Sequence, residues 1–166
     1  MAEITFKGEK IHTLGNIPKK GQKAPDFKLT NSSLQEVGLE NYKGKRLVLN
    51  IFPSIDTGTC AASVRRFNKE AAELENTVVL NISKDLPFAQ KRFCAAEGIE
   101  NVENLSQYKD QNFSKAYEVD MLEGALQGLM SRAVVVLNEN GEVIHSEQVP
   151  EIIIEPDYDS SLNALK

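Results

Sequence analysis

Two short apolar runs in the first half of the chain enclose a stretch with helical periodicity. Residues 47–52 and 77–83 are almost continuously apolar, which is typical of strands covered on both faces. From about residue 60 to 74, apolar side chains recur at helical spacing, as on the buried face of a helix. This order predicts a βαβ unit, in which the two strands are parallel and the crossover is right-handed.

The second half of the chain predicts a further helix and a hairpin. Asp85-Leu-Pro87 combines an acidic cap candidate with a proline suited to a first helical turn, and Gly98 ends this helix. The apolar run 133–137 is followed by Asn140-Gly141, a strong hairpin signal, and residues 142–149 return as its partner. The element order predicts an α/β fold with a mixed central sheet flanked by helices.

The remaining segments are shorter and are bounded by glycine, proline or polar turn residues. They predict an N-terminal β-hairpin (3–14), an edge strand (24–29), a helical turn (39–42), a strand (102–105), a short helix (112–117), a glycine-rich loop (124–132) and a C-terminal helix from Pro156. Because no repeat or linker interrupts these elements, we expect a single domain over residues 1–166.

Composition narrows the class of protein. The chain has 166 residues, of which 41% are hydrophobic and 26% charged, with a net charge of −5. This balance is typical of a globular protein, and the scattered basic residues argue against a nucleic-acid partner. No apolar run approaches transmembrane length, and the start Met1-Ala-Glu-Ile lacks the features of a signal peptide. We therefore expect a cytoplasmic protein without a membrane partner.

The cytoplasmic assignment changes how the two cysteines are interpreted. In a reducing compartment, cysteines are seldom a permanent structural disulfide, so Cys60 and Cys94 are either inert buried thiols or a redox pair. Together with His12 and His145 they show no spacing typical of metal ligands. We expect neither a metal nor a cofactor.

Cys60 lies at the predicted start of a helix. Pro53 ends the preceding strand because it has no N–H to donate. A helix N-terminus favours negative charge, and so it favours the thiolate, the reactive form of cysteine. Alternatively, Cys60 begins the apolar face of the helix, because it stands four residues before Val64; the spacing fits either role. The candidate N-caps are Asp56, Thr57 and Thr59.

Counting residues places other side chains relative to Cys60. The helix descends about 22 Å and the next strand returns about 23 Å, so Asp85 should stand level with Cys60. Cys94 should lie about 12 Å below Cys60 along the strand direction, whereas a disulfide needs Cα atoms within about 7 Å. Arg132 should reach the Cys60 edge if strand 133–137 is antiparallel to its neighbours, and the opposite edge if it is parallel.

The residues around Cys60 carry a specific resemblance. Pro53-Ser-Ile-Asp-Thr57-Gly-Thr-Cys60 resembles the Pro-x-x-x-Thr/Ser-x-x-Cys signature of the peroxiredoxins, which have a thioredoxin-like fold. Further stretches are similar to the thiol peroxidase subfamily, and the likeness covers essentially the whole chain. The similar stretches are Asn50 to Cys60, Asp85-Leu-Pro-Phe-Ala-Gln-Lys-Arg-Phe-Cys94, Arg132-Ala-Val-Val-Val136 and Glu155-Pro-Asp-Tyr158.

The resemblance implies a function and a role for each matching residue. It implies reduction of hydrogen peroxide and organic hydroperoxides, with thioredoxin as the usual electron donor and homodimers common. Cys60 matches the peroxidatic cysteine and Cys94 the resolving cysteine of an atypical two-cysteine enzyme, which would join them in an intramolecular disulfide. Thr57 matches the hydroxyl residue that contacts peroxide, Arg132 the arginine of the site, and Pro53 the proline that shields it.

Other functions fit parts of the pattern. A dithiol oxidoreductase of the thioredoxin type normally has Cys-x-x-Cys, whereas Cys60 is followed by Ala61-Ala-Ser63. A peroxide-sensing relay or partner-binding module would use the same cysteines without turnover. Taken alone, Arg132 is a surface residue before a strand and Cys94 an apolar helix residue; their joint match with the signature favours the peroxidase.

Overall fold

A computed structural model describes all 166 residues, and it contains nine strands, four α-helices and one 3₁₀ turn. The strands are β1 (Ala2–Phe6), β2 (Glu9–Thr13), β3 (Leu29–Asn31), β4 (Glu36–Val37), β5 (Arg46–Ile51), β6 (Thr77–Ser83), β7 (Glu103–Ser106), β8 (Ala133–Leu137) and β9 (Val143–Gln148). The helices are α1 (Gly58–Ala71), α2 (Pro87–Glu97), α3 (Asn112–Ala116) and α4 (Tyr158–Asn163), and the 3₁₀ turn is Leu39–Tyr42.

Seven strands form one mixed sheet in the order β4-β3-β7-β6-β5-β8-β9. The neighbours β5, β6 and β7 are parallel, whereas β8 runs antiparallel to β5 and pairs with β9 as a hairpin. The predicted βαβ unit, the hairpin after Asn140-Gly141 and the mixed sheet are therefore confirmed. Strands β5 and β8 are buried along nearly their whole length because both faces of the sheet are covered.

Alternating residues of the central strands pack into separate cores. One face of β5 and β6 presents leucine and isoleucine to a cluster that includes Phe27, Phe113 and Tyr117. The other face presents valine to α1 and α4, where Phe67 meets Tyr158 edge to face at a centroid distance of 5.2 Å. A smaller cluster between α1 and α2 contains both cysteines: Phe52, Ile55, Cys60, Val64, Cys94 and Ile99.

The N-terminal hairpin β1–β2 is confirmed and forms a separate two-stranded sheet. Its two-residue turn places Lys7 and Gly8 at positive φ (52° and 84°), as a tight hairpin turn requires. Thr5 pairs with the segment after β9, since its amide donates to the Pro150 carbonyl at 2.8 Å and its own carbonyl accepts from Ile152. The hairpin is thereby held against residues 150–152.

The predicted edge strand at 24–29 is wrong. Residues 24–28 are not in a strand; β3 begins at Leu29 and lies between β4 and β7, so β4 forms the edge. The carboxylate of Asp26 accepts hydrogen bonds from the amides of Phe27 and Leu39, which turns the backbone away from ladder geometry. The helix predicted at 60–74 begins two residues earlier and ends at Ala71.

None of the helices combines the length and the apolar character needed to cross a membrane.

Candidate active site

Cys60 lies at the start of α1, just after the loop that follows β5. Thr57 occupies the N-cap position with extended backbone geometry, and α1 starts at Gly58, so Cys60 lies in the first helical turn. The first N–H groups of a helix have no intrahelical acceptor, so this end carries partial positive charge. The Cys60 side chain, at this end of the helix, is fully buried.

Arg132 contacts the Cys60 sulfur. Its Nη2 donates to Sγ at 3.4 Å, its Nε donates to the Ile152 carbonyl at 2.9 Å, and its Nη1 is buried without a partner. Only 2% of the Arg132 residue surface is exposed, so the guanidinium charge is shielded from water. Because β8 is antiparallel to β5, Arg132 falls on the Cys60 edge, the first of the two arrangements that the sequence left open.

Pro53, Thr57 and Arg132 line one cavity of about 330 Å³. The Thr57 hydroxyl donates to the Ser54 carbonyl at 3.1 Å rather than capping the helix, so its oxygen retains acceptor capacity. Most of the remaining wall is apolar, and it comes from the hairpin, the start of α1, the 126–129 loop and the segment after β9. These lining residues are Phe6, Lys7, Gly58, Thr59, Leu126, Leu129, Ile152 and Ile153.

Asp85 holds the loop before Cys60 in place through hydrogen bonds, a role that the sequence did not predict. The residue count places Asp85 level with Cys60, and the sequence makes Asp85 a candidate N-cap of α2. In the structure, the N-cap residue of α2 is Leu86. The Asp85 carboxylate instead accepts from Ser54 Oγ at 2.8 Å and from the Ile55 amide at 2.7 Å. A third donor, Ser83 Oγ, lies at 2.6 Å. The carboxylate therefore fixes the position of the turn that leads into α1.

We expect Asp85→Ala to slow the reaction of Cys60 with peroxide about tenfold, because catalysis depends on the position of the turn. It should also lower the free energy of unfolding by about 2 kcal/mol, because three donors lose a charged acceptor. Asp157→Ala, which removes the N-cap of α4, is the stability control, at a cost of about 1 kcal/mol. Stopped-flow rates and denaturant unfolding measure both effects; an unchanged rate in Asp85→Ala would contradict this role.

Cys94 lies on α2 within the same small apolar cluster as Cys60, and both cysteines are free thiols. Burial raises the pKa of the Cys94 thiol, while a hydrogen bond from Asn104 Nδ2 to Sγ, at 3.1 Å, partly opposes that effect. α1 and α2 are both intact helices, so each cysteine is held in its own element. The structure thus brings Cys60, Arg132, Thr57 and Pro53 together and places Cys94 across the α1–α2 contact.

Comparison with known proteins agrees with this arrangement. A family model described as Redoxin matches residues 19–162. A thiol peroxidase from Corynebacterium glutamicum is 51% identical over 166 residues, which cover 99% of each chain. A crystal structure of a peroxiredoxin-like protein from Aquifex aeolicus superposes with a TM-score of 0.93 at 35% identity, covering 99% of this chain and 96% of that one.

A thiol peroxidase from Chromobacterium violaceum has a TM-score of 0.87 at 23% identity, covering 98% of this chain and 94% of that one, and supports the fold alone. The fold and the buried cysteine beside an arginine define a thioredoxin-like protein that works through a thiol. The chain belongs to the Redoxin family, and within it to the thiol peroxidase subfamily of the peroxiredoxins. The predicted thioredoxin-like fold is confirmed, and a peroxidase activity is supported.

Proposed function

We propose that this enzyme reduces hydrogen peroxide and organic hydroperoxides through Cys60, with Cys94 as the resolving residue and thioredoxin as the reductant. The observation that carries the proposal is the Arg132 guanidinium, 3.4 Å from Cys60 Sγ and with a second buried nitrogen free to donate. This cation stabilises the thiolate and then the charge that develops as the O–O bond breaks.

In the first step, the Cys60 thiolate attacks one peroxide oxygen. An S–O bond forms as the O–O bond breaks, and the other oxygen leaves as an alkoxide or hydroxide that takes up the proton that the Cys60 thiol released on ionising. Cys60 becomes a sulfenic acid, and the product is an alcohol or water. Thr57 accepts a hydrogen bond from the peroxide, Arg132 Nη1 donates to it, and buried Pro53 shields the sulfur from solvent.

The cavity supports organic hydroperoxides as substrates. Its wall includes large apolar side chains that an alkyl group can contact: Phe6, Leu126, Leu129, Ile152 and Ile153. The proposal also includes a homodimer, which is supported by exposed apolar side chains of the kind that subunit contacts bury, such as Phe88 at 65% exposure and Ile154 at 56%. It places the enzyme in the cytoplasm, where thioredoxin is kept reduced.

A coupled assay tests the function. Purified protein is mixed with hydrogen peroxide or cumene hydroperoxide in the presence of thioredoxin, thioredoxin reductase and NADPH. We expect continuous NADPH consumption that depends on both the enzyme and thioredoxin, and that is absent in Cys60→Ser. A single oxidation of the protein without continued NADPH consumption would contradict the peroxidase and favour a peroxide sensor.

A further inference from the structure

A row of asparagines crosses the parallel part of the sheet beneath α1 and α2. Asn50 on β5 pairs in register with Asn81 on β6, and Asn81 pairs in register with Asn104 on β7. All three side chains are buried, with exposed fractions between 0% and 6%. Burying an amide is costly unless its hydrogen bonds are made, so the bonds of this row indicate what it does.

The three amides form one hydrogen-bonded chain that ends on Cys94. Asn50 Nδ2 donates to Asn81 Oδ1 at 3.0 Å, and Asn81 Nδ2 donates to Asn104 Oδ1 at 3.3 Å. Asn104 Nδ2 then donates to Cys94 Sγ at 3.1 Å. We call Asn50, Asn81 and Asn104 the asparagine ladder. Its amide dipoles lie head to tail, so their donor ends all point towards the Cys94 sulfur.

Ser63 sets the direction of the ladder. Its hydroxyl donates to the Cys60 carbonyl at 2.8 Å, which uses its only proton, so Ser63 Oγ accepts from Asn50 Nδ2 at 3.2 Å. Asn50 must therefore present its NH₂ group to both Ser63 and Asn81, and its Oδ1 stays buried without a partner. An orphaned acceptor is costly in a core, which indicates that the direction of the ladder serves more than packing.

We propose that the asparagine ladder activates Cys94 for the resolving step, because Asn104 directs an N–H donor at the sulfur and favours the thiolate. A thiolate accepts a hydrogen bond better than a thiol does, and aligned amides strengthen one another in a buried site. Asn104 acts on the sulfur directly, while Asn50 and Asn81 are positioning residues. The inference rests on the proposed function, in which Cys94 attacks oxidised Cys60.

The step that the ladder assists balances without a further reactant. The Cys94 thiolate attacks the sulfur of the Cys60 sulfenic acid, an S–S bond forms and the S–O bond breaks. The hydroxide that leaves takes up the proton that Cys94 released, and the product is water. Burial raises the pKa of Cys94, so without the Asn104 donor less of the nucleophile would be present. This assistance requires that Cys94 keep its bond to Asn104 when the attack begins, as it does where the opening is confined to the first turn of α1.

The charged residues of α2 are all exposed, whereas Cys94 is buried. The buried hydrophobic cluster that contains Cys94 includes one other thiol, Cys60 on α1. Glu97 is paired with Arg65 of α1 at 2.9 Å, and Arg92 with Asp56 at 3.6 Å; the hydrogen bond from Arg65 lowers the pKa of Glu97, so that this pair stays charged at neutral pH. Asn104 bonds Cys94 and no other ionisable group, so a change in the pH dependence of the resolving step on replacing Asn104 reports on Cys94.

The test is Asn104→Leu, which keeps the number and branching of the side-chain heavy atoms and removes the donor. Reduced protein is mixed with one equivalent of hydrogen peroxide, and samples are quenched with dimedone and an alkylating reagent for mass spectrometry. We expect the conversion of sulfenic acid to disulfide to slow about tenfold near pH 7. The midpoint of its pH–rate profile should rise by about one pH unit, with rates converging at high pH, while the formation of sulfenic acid is unchanged.

Gln90→Leu is the matched control. Gln90 is a buried amide on α2, and it donates to Ser83 and to the Leu105 carbonyl but makes no hydrogen bond to Cys94. Loss of this amide should change the rate of disulfide formation equally at every pH. If Asn104→Leu does not fold, Asn104→Val, which suits a strand, carries the same test.

The outcomes separate this inference from the proposed function. A pH-independent effect of Asn104→Leu, or none, would overturn the ladder's role, because loosened packing alone does not move the pH midpoint. Faster disulfide formation would also overturn it, since the ladder would then restrain Cys94. If the wild-type protein formed no Cys60–Cys94 disulfide, the proposed function would fail; thiolate absorbance of Cys94, titrated in Cys60→Ser with and without Asn104→Leu, would still test the ladder.

Discussion

Replacement of Arg132 by methionine should slow the reaction of Cys60 with peroxide by about 10²- to 10³-fold, the usual cost of losing a charge-stabilising donor. The guanidinium lies 3.4 Å from the sulfur in a site that excludes water, where its charge is weakly screened. The measurement is the second-order rate constant of reduced protein with hydrogen peroxide by stopped flow. Arg132→Lys should recover only part of the lost rate. The lysine ammonium cannot reproduce the planar guanidinium, which donates both to Cys60 and to the Ile152 carbonyl.

Arg46→Met is the matched control for this prediction. Arg46 also bonds backbone carbonyls, those of Leu165 and Glu75, but it stands at the start of β5, at the opposite edge of the sheet from Cys60. Its loss should lower stability without changing the peroxide rate. A wild-type rate constant in Arg132→Met would show that the arginine serves the fold alone, and Cys60 would then need another source of charge stabilisation.

The parts of the fold that sequence predicts well are those decided by local patterns. The runs 47–52 and 77–83 and the helical stretch between them give the parallel pair, and Asn140-Gly141 gives the hairpin. The direction of β8 against β5 is a tertiary property, because it depends on which edge of the parallel strands the hairpin joins. The spacing of residues could not decide whether β8 is parallel or antiparallel to β5, and so it could not place Arg132.

The polar anchors around the cysteines were missed for a related reason. Asp85 and the asparagine ladder act through partners far along the chain, which the sequence does not show directly. One signal was present: Val48-Leu-Asn-Ile51 and Val79-Leu-Asn-Ile82 are the same four residues, and they pair in register on adjacent strands. A polar residue at the same place in two apolar strands indicates a buried polar row, although Asn104, which completes it, has no such repeat around it.

Cys94→Ser should abolish turnover with thioredoxin while leaving the first oxidation of Cys60 unchanged. A serine hydroxyl is not ionised at neutral pH, so it cannot attack the sulfenic acid, and no disulfide is then available for thioredoxin to reduce. Coupled NADPH consumption measures the turnover, and stopped flow measures the first step. Ala95→Ser is the matched control, because it adds a hydroxyl to the exposed side of α2 next to Cys94 and should leave both unchanged.

The same prediction requires part of the structure to open. Cys60 and Cys94 are buried on separate intact helices, so the disulfide needs local unwinding, in the first turn of α1, around Cys94, or in both. Such openings cost far less than global unfolding, especially at helix ends. Peptide mapping of peroxide-treated protein under non-reducing conditions should find Cys60 linked to Cys94 within one chain.

Hydrogen exchange should then increase near both cysteines in the oxidised form and return to its original rate after reduction. The control is oxidised Cys94→Ser, in which Cys60 carries the sulfenic acid but no disulfide can form, so exchange there should stay close to that of the reduced protein. A Cys60–Cys94 bridge between two chains would make resolution intermolecular. A stable sulfenic acid in the wild-type protein, with Cys94 still free, would remove the resolving role of Cys94.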